Sequence, residues 1–330
     1  MSSFVSVIIP CRNEEKFIGK CLDSIISQDF PKENLEVLVV DGMSADKTRE
    51  IVEKYKIQNT KYKIQLLDNP NKFTPSGLNI GIKKARGEII IRMDAHAGYN
   101  KDYISKCVHY LKESGADNVG GIIKTLPAEK TLTARAIALV LSHLLGAASY
   151  FRLGSKKPRF SDTVFGGCFK REVFDRVGLF DERMIRSQDI EFNKRLRRAG
   201  GKILLVPEIV ARYYPQASLK GFFKHNFNDG FWTLYPIRFG VKFFSLRHLL
   251  PLALVLACWV AFLFGLFSFL GKLLFIFVFG GYLLLNIVFS LQIALREGLK
   301  LFPALVLAFF SRHFGYGLGS LWALVRIIAF

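Results

Sequence analysis

The sequence predicts an α/β domain, a mostly parallel sheet with helices on both faces, followed by C-terminal transmembrane helices. Two patterns carry this reading. Between residues 5 and 114, short β-branched runs alternate with helical periodicity, which implies parallel strands joined by crossover helices. From Leu249 onward charge nearly vanishes, and the apolar runs reach the roughly 20 residues needed to cross a hydrocarbon core.

In order, Val5–Pro10 reads as a strand, Glu15–Ser27 as a helix, Glu36–Asp41 as a strand and Lys47–Lys54 as a helix. Lys63–Leu67, Pro75–Lys84, Glu88–Met93 and Asp102–Ser114 continue the alternation. Thr131–Tyr150 is an amphipathic to apolar stretch that fits either a core helix or a helix in the membrane interface. Arg135 and the basic Lys156–Arg159 favour the interface, so 131–160 is a candidate acceptor segment. Val164–Phe169 reads as a strand with a glycine pair, Arg171–Val177 and Gln188–Ala199 as helices, and Pro207–Tyr214 as extended chain.

The domain expected from this is a cytosolic unit over 1–220, an aromatic and basic juxtamembrane segment over 221–248, and a membrane domain over 249–330. Spans fall at about 249–270, 272–295 and 301–324. The third is the weakest, because Arg312 and His313 interrupt it and an intramembrane cation is costly unless it faces protein or water. The N-terminus lacks the basic start and cleavage site of a signal peptide. Arg238, Lys242 and Arg247 before the first span, with Arg296 and Lys300 between the second and third, place both clusters on the cytoplasmic side by the positive-inside rule. The expected location is therefore the cell membrane, multi-pass, with the α/β domain cytoplasmic.

The net charge is +19, yet the basic residues are dispersed and form no recognisable nucleic-acid module. An anionic membrane surface and phosphorylated substrates account for it instead. Five cysteines without C-x-x-C spacing indicate neither a zinc site nor a disulfide framework.

In parallel sheets the ligand sits beyond the carboxyl ends of the strands. The informative loops are therefore Pro10–Glu14, Asp41–Asp46 and Asp94–His96. Asp94-Ala95-His96 is either a solvated strand-end turn or a site for a hard cation held against a diphosphate. Asp41 can accept from a base or a ribose, while Ser44 or Asp46 can cap the helix that follows. Asp189, after Gln188, is either a helix-initiating acid or a general base presented at a helix start.

These residues together resemble the family 2 glycosyltransferases of the GT-A (Rossmann-like) fold. The matching segments are Val7–Glu15, Val39–Thr48, Asn79–Glu88, Asp94–His96, Gly166–Phe169 and Gln188–Phe192, in the family's order, and the likeness spans residues 4 to about 210. The hydrophobic C-terminus and the Asp-Ala-His variant are similar to the membrane-anchored exopolysaccharide subgroup of the succinoglycan glucosyltransferase type. The resemblance implies that Pro10, Asn13, Glu14 and Asp41 border the nucleotide, with Asp41 on the base and Asp94 on ribose or metal.

In that family the second acid of D-x-D binds Mn²⁺ or Mg²⁺, and here His96 stands in its place. The resemblance further implies Gly166, Gly167 and Gln188 near donor sugar or acceptor, and Asp189 as general base. The Q-x-x-R-W segment of processive synthases is absent, which argues against a polymerising channel. The implied reaction is an inverting hexosyl transfer from a nucleotide-sugar donor, UDP-linked, to a membrane-tethered acceptor such as a polyprenyl-diphosphate-linked saccharide. The competing readings are a polyprenyl-phosphate sugar synthase and a catalytically silent nucleotide-sugar-binding scaffold.

Overall fold

The computed structural model describes residues 3–146 and 149–329. The chain divides into two compact units, one of residues 1–124 with 149–213 and one of residues 125–148 with 214–330.

The first unit runs β1 (Val5–Cys11), α1 (Ile18–Ile26), β2 (Leu35–Asp41), α2 (Thr48–Gln58), β3 (Lys63–Asp68), α3 (Thr74–Lys84), β4 (Ile89–Arg92), β5 (Ala97–Tyr99), α4 (Tyr103–Glu113) and β6 (Asn118–Thr125). After an excursion through α5 (Leu132–Leu141) of the second unit, it resumes with α6 (Tyr150–Leu153), β7 (Arg159–Phe160), β8 (Phe165–Lys170), α7 (Glu172–Val177), α8 (Gln188–Arg198) and β9 (Ile203–Tyr213).

The strands form one sheet in the order β3-β2-β1-β4-β8-β6-β9-β5, with β7 on β9. The first four strands are parallel, as the alternation predicts. Beyond β4 the sheet turns antiparallel, so it is mixed rather than uniform. Alternate residues of β1 feed opposite cores. Val5, Val7 and Ile9 pack with α1 and α4, whereas Ile8 packs with α3, α7 and α8.

Register places Cys11 opposite Asp41, Asp41 opposite Asp68, and Ile8 opposite Arg92, so the carboxyl ends of four adjacent strands carry polar groups along one edge. The sequence reading assigned no strand to β5, β6 or β7. The first and last are only three and two residues long. β6 carries Gly120-Gly121 at a bulge, which weakens its strand signal. The extended stretch at Pro207 is the middle of the longer β9. Its pairing to β7 ends before Pro207 and its pairing to β5 begins after it, as a residue without an N–H allows.

The second unit contains α5, α9 (Leu219–Leu234), α10 (Leu250–Phe267), α11 (Phe269–Phe275), α12 (Gly281–Glu297) and α13 (Phe302–Ile328), with a π-helical turn over Ile276–Gly280. Leu246–Phe267, Phe269–Glu297 and Leu299–Ile328 are each long and apolar enough to cross a membrane. α5 packs within the helical unit. Ala136, Ile137, Val140 and Leu141 pack against Leu305, Ala308 and Phe309 of α13, and Arg135 pairs with Glu297 at 2.7 Å. Residues 147 and 148 of the predicted stretch lie outside the described residues.

α9 lies along α13, and a Cβ at Gly319 would fall 1.9 Å from the Phe227 carbonyl oxygen, so only glycine admits this approach. The two residues that weakened the third span are engaged by protein. Arg312 Nε donates to the Gly146 carbonyl at 2.9 Å, and its Nη1 donates to Asn226. His313 Nε2 meets the Leu145 carbonyl at 2.8 Å and Nδ1 the Tyr282 hydroxyl at 3.2 Å. Their partners come from helices and turns remote in sequence, which is why periodicity alone left this span weak.

Candidate active site

The β1–α1 and β2–α2 loops are locked to each other. Asn13 sits in the left-handed region at φ +55, where its N–H reaches Ser44 Oγ at 2.8 Å and its Oδ1 accepts from Ala45 N at 2.9 Å. Glu14 N donates to Thr48 Oγ1 at 2.7 Å. Asp46 does not cap α2, whose N-cap is Lys47 without a side-chain cap; one residue earlier, it accepts from Thr48 N at 3.0 Å and from Glu15 N at 3.1 Å.

Asp41 is fully buried. Its Oδ1 accepts from Ser44 Oγ at 2.5 Å and from the Cys11 thiol at 3.8 Å, and its Oδ2 from Ser44 N at 3.0 Å and Arg49 Nη1 at 2.8 Å. Arg49 also pairs with Asp68 at 2.8 Å. Pro10, half-buried near the end of β1, sits opposite Val40 of β2.

Asp94 and His96 occupy the turn between β4 and β5. The Tyr99 hydroxyl pins this turn, accepting from Asp94 N at 2.6 Å. Asp94 Oδ1 accepts from Arg92 Nη2 at 2.9 Å. Burial alone would push the Asp94 carboxyl up, but the charges of Arg92 and His96 outweigh it and hold it below its ordinary value. His96 Nδ1 lies 3.1 Å from Glu14 Oε1, and its ring stands edge-on to Tyr213 at 5.6 Å. Burial opposes the charge on His96, yet the Glu14 hydrogen bond and Asp94 raise its pKa above the ordinary imidazole value.

Asp189 is the second residue of α8, after the N-cap Ser187 and Gln188. Ser187 has φ +58, an uncommon backbone for a residue with a Cβ, and Gln188 is buried. Asp189 Oδ2 lies 3.7 Å from Arg92 Nη1. Gly166, at φ +71 in β8, would carry a Cβ 3.0 Å from both the Arg92 carbonyl and the Tyr103 hydroxyl, so the strand can lie against the end of β4 only without a side chain. Gly167, at φ +115, faces the Phe169 ring instead.

The structure thus brings Asp94, His96, Asp189 and Gly166 together around Arg92, with Glu14 on His96, while Asn13 and Asp41 belong to the adjoining pair of locked loops. Sequence reasoning missed Arg92, Tyr99 and Ser187. Arg92 alone carried a visible signal, as the one cation inside an otherwise apolar strand.

Among the described residues no cluster of three or more His, Cys, Asp and Glu side chains is arranged for a metal. The donor set nevertheless fits a cation shared with a phosphate ligand. With Glu14 as acceptor the proton sits on His96 Nδ1, so the neutral imidazole, the form a cation would bind, presents its Nε2 lone pair, and Asp94 adds a carboxylate. One or two protein ligands suffice for Mg²⁺ or Mn²⁺ when phosphates complete the sphere.

A half-parallel sheet with acids and a histidine beyond its strand ends is a frame that binds a ligand at the carboxyl edge of the strands. The family described as Glycosyl transferase family 2 matches residues 6–178, and the chain belongs to it. It is 32% identical over 317 residues, 94% of either chain, to the dolichyl N-acetyl-alpha-D-glucosaminyl phosphate 3-beta-D-2,3-diacetamido-2,3-dideoxy-beta-D-glucuronosyltransferase of Methanococcus voltae. It is 29% identical to the succinoglycan biosynthesis protein ExoA of Rhizobium meliloti (strain 1021), over 75% of this chain and 74% of that one. A mannosyltransferase from Pyrobaculum calidifontis, solved with GDP-Man and Mn²⁺, shares the fold at a TM-score of 0.64 and 20% identity, covering 98% of this chain and 88% of that one. The protein is a glycosyltransferase with a GT-A-like sheet and three candidate membrane spans.

Proposed function

We propose that the protein is an inverting hexosyltransferase that moves a sugar from a UDP-linked donor to a membrane-tethered acceptor, such as a polyprenyl-diphosphate-linked saccharide, during glycan or polysaccharide assembly. The observation that carries this is the Arg92 bridge, with Asp94 at 2.9 Å and Asp189 at 3.7 Å, which sets a diphosphate-side acid and an exposed acid in one site.

In this reading Asp189 takes the proton from the acceptor hydroxyl as that oxygen attacks the anomeric carbon, in a single displacement. Asp94 and His96 would hold a divalent cation, Mn²⁺ or Mg²⁺, which when bound stabilises the charge on the departing nucleoside diphosphate. Pro10, Asn13, Glu14 and Asp41 border the nucleotide. The four donors on Asp41 fill its lone-pair sites, so a base N–H must displace one, and the long Cys11 thiol contact is the cheapest to give up. Gly166, Gly167 and Gln188 border the donor sugar or acceptor.

The tethered acceptor is supported by the Methanococcus relative, whose name specifies a dolichyl-linked sugar phosphate, and by the three apolar helices. The basic residues flanking those helices support a multi-pass protein of the cell membrane with the catalytic unit on the cytoplasmic side. The test is incubation of the purified protein with radiolabelled UDP- and GDP-sugars, Mn²⁺, and either a polyprenyl-diphosphate-linked saccharide or polyprenyl phosphate. Label entering the first lipid supports the proposal. Label entering only polyprenyl phosphate indicates a synthase, and nucleotide release without lipid labelling removes the tethered acceptor.

A further inference from the structure

We propose that Arg92 is a positioning residue for the transfer: its guanidinium, reaching Asp94 with one arm and Asp189 with the other, fixes the general base relative to the diphosphate end of the site. This deepens the function proposed above and rests on Asp189 being the base.

Arg92 is anchored in the interior of the sheet. It ends β4, with its backbone opposite Ile8 of the fully buried β1 core and its carbonyl against Gly166 of β8. Asp189, in contrast, begins a helix after the left-handed Ser187, and its side chain is 37% exposed. Oδ1 of Asp189 accepts from its neighbour Ile190 N at 2.9 Å, which orients the carboxylate only locally. The contact from Arg92 is what ties it to the sheet. Between two acids that would otherwise repel, the guanidinium supplies the opposite charge.

The residue is a poor choice for stability. Its side chain is 11% exposed, and its Nε is buried without an acceptor among the described residues. A buried guanidinium costs desolvation, and an unsatisfied donor adds to that cost. An isoleucine, as at Ile89, Ile90 and Ile91, would fill the strand more favourably. What isoleucine lacks is the planar fork that reaches two carboxylates at once, and lysine, a single point charge, lacks it too.

The experiment compares wild type, Arg92→Lys, Arg92→Gln, Asp189→Asn and the Arg92→Lys/Asp189→Asn double variant. Two quantities are read: nucleoside diphosphate release at saturating donor with the polyprenyl-diphosphate-linked acceptor present, and calorimetric binding of UDP with Mn²⁺. Arg92→Lys should lower the turnover number by about tenfold to a hundredfold, the scale of a misplaced catalytic group. UDP affinity should stay within about threefold, because the nucleotide end keeps its residues. The double variant should match Asp189→Asn alone, since positioning a base that is gone gains nothing.

Loss of UDP affinity in proportion to turnover, or a further multiplicative loss in the double variant, would overturn the proposal and restrict Arg92 to Asp94. Should Arg92→Lys not fold, judged by its melting transition, the same comparison with Arg92→Gln decides. A wild-type protein that releases no nucleoside diphosphate from any UDP- or GDP-sugar in the presence of the lipid acceptors overturns the underlying reading before any variant is made, and the role of Arg92 falls with it.

Discussion

Glu14 Oε1 lies 3.1 Å from His96 Nδ1 and thereby decides which imidazole nitrogen remains for a ligand. A carboxylate accepts only, so in the neutral imidazole Nδ1 carries the proton and Nε2 the lone pair, and a cation must displace any proton that the raised pKa keeps on Nε2. Glu14→Ala removes that constraint. The Mn²⁺ concentration for half-maximal activity should rise by about tenfold or more, as loss of a partner behind a histidine ligand usually causes. UDP binding in chelator should not change, and chelator should suppress turnover of the wild type. Metal titration of nucleotide release checks each point.

His96→Asp restores the acid that the family places there. Oxygen ligands suit Mg²⁺ better than an imidazole does, so Mg²⁺ should gain as an activator relative to Mn²⁺. An unchanged Mn²⁺ to Mg²⁺ activity ratio would show that His96 is not a ligand.

Gly166→Ala forces a Cβ to 3.0 Å from the Arg92 carbonyl and the Tyr103 hydroxyl, at φ +71. It should destabilise the protein by ~1–3 kcal/mol. Gly98→Ala, whose nearest neighbour would lie at 4.0 Å and whose φ is ordinary, should fall within about 0.5 kcal/mol of wild type. Thermal unfolding of the detergent-solubilised protein separates the two.

Arg312→Ala strips donors from the Gly146 carbonyl and Asn226 inside the helical unit. Orphaning buried groups of this kind costs ~1–3 kcal/mol. The exposed Lys300→Ala is the control and should leave the melting temperature unchanged.

The parallel half of the sheet was legible because each strand is a short β-branched run closed by a polar loop, as in Val5–Pro10 and Glu36–Asp41. The antiparallel half was harder to see. β6 holds a glycine pair, β9 contains Pro207, and β5 and β7 are too short to show a period. Candidate site residues were legible where they end a strand, as Asp41 does, or follow one closely, as Asp94 does. The bond from Arg49 that closes Asp41 comes from the next helix, and the bridge from Arg92 to Asp189 joins β4 to α8, so no local pattern announces either. Likewise, Arg312 and His313 looked costly in a span because Asn226 and Leu145 lie far along the chain.

Asp189→Asn tests the central claim most directly. The amide keeps the shape of the side chain but cannot take the acceptor's proton. Nucleoside diphosphate release in the presence of the lipid acceptor should fall by roughly 10²- to 10⁴-fold, the usual contribution of a positioned base, while binding of the sugar nucleotide persists. Release at near wild-type rate would contradict the assignment of Asp189 as the base and the single-displacement mechanism built on it.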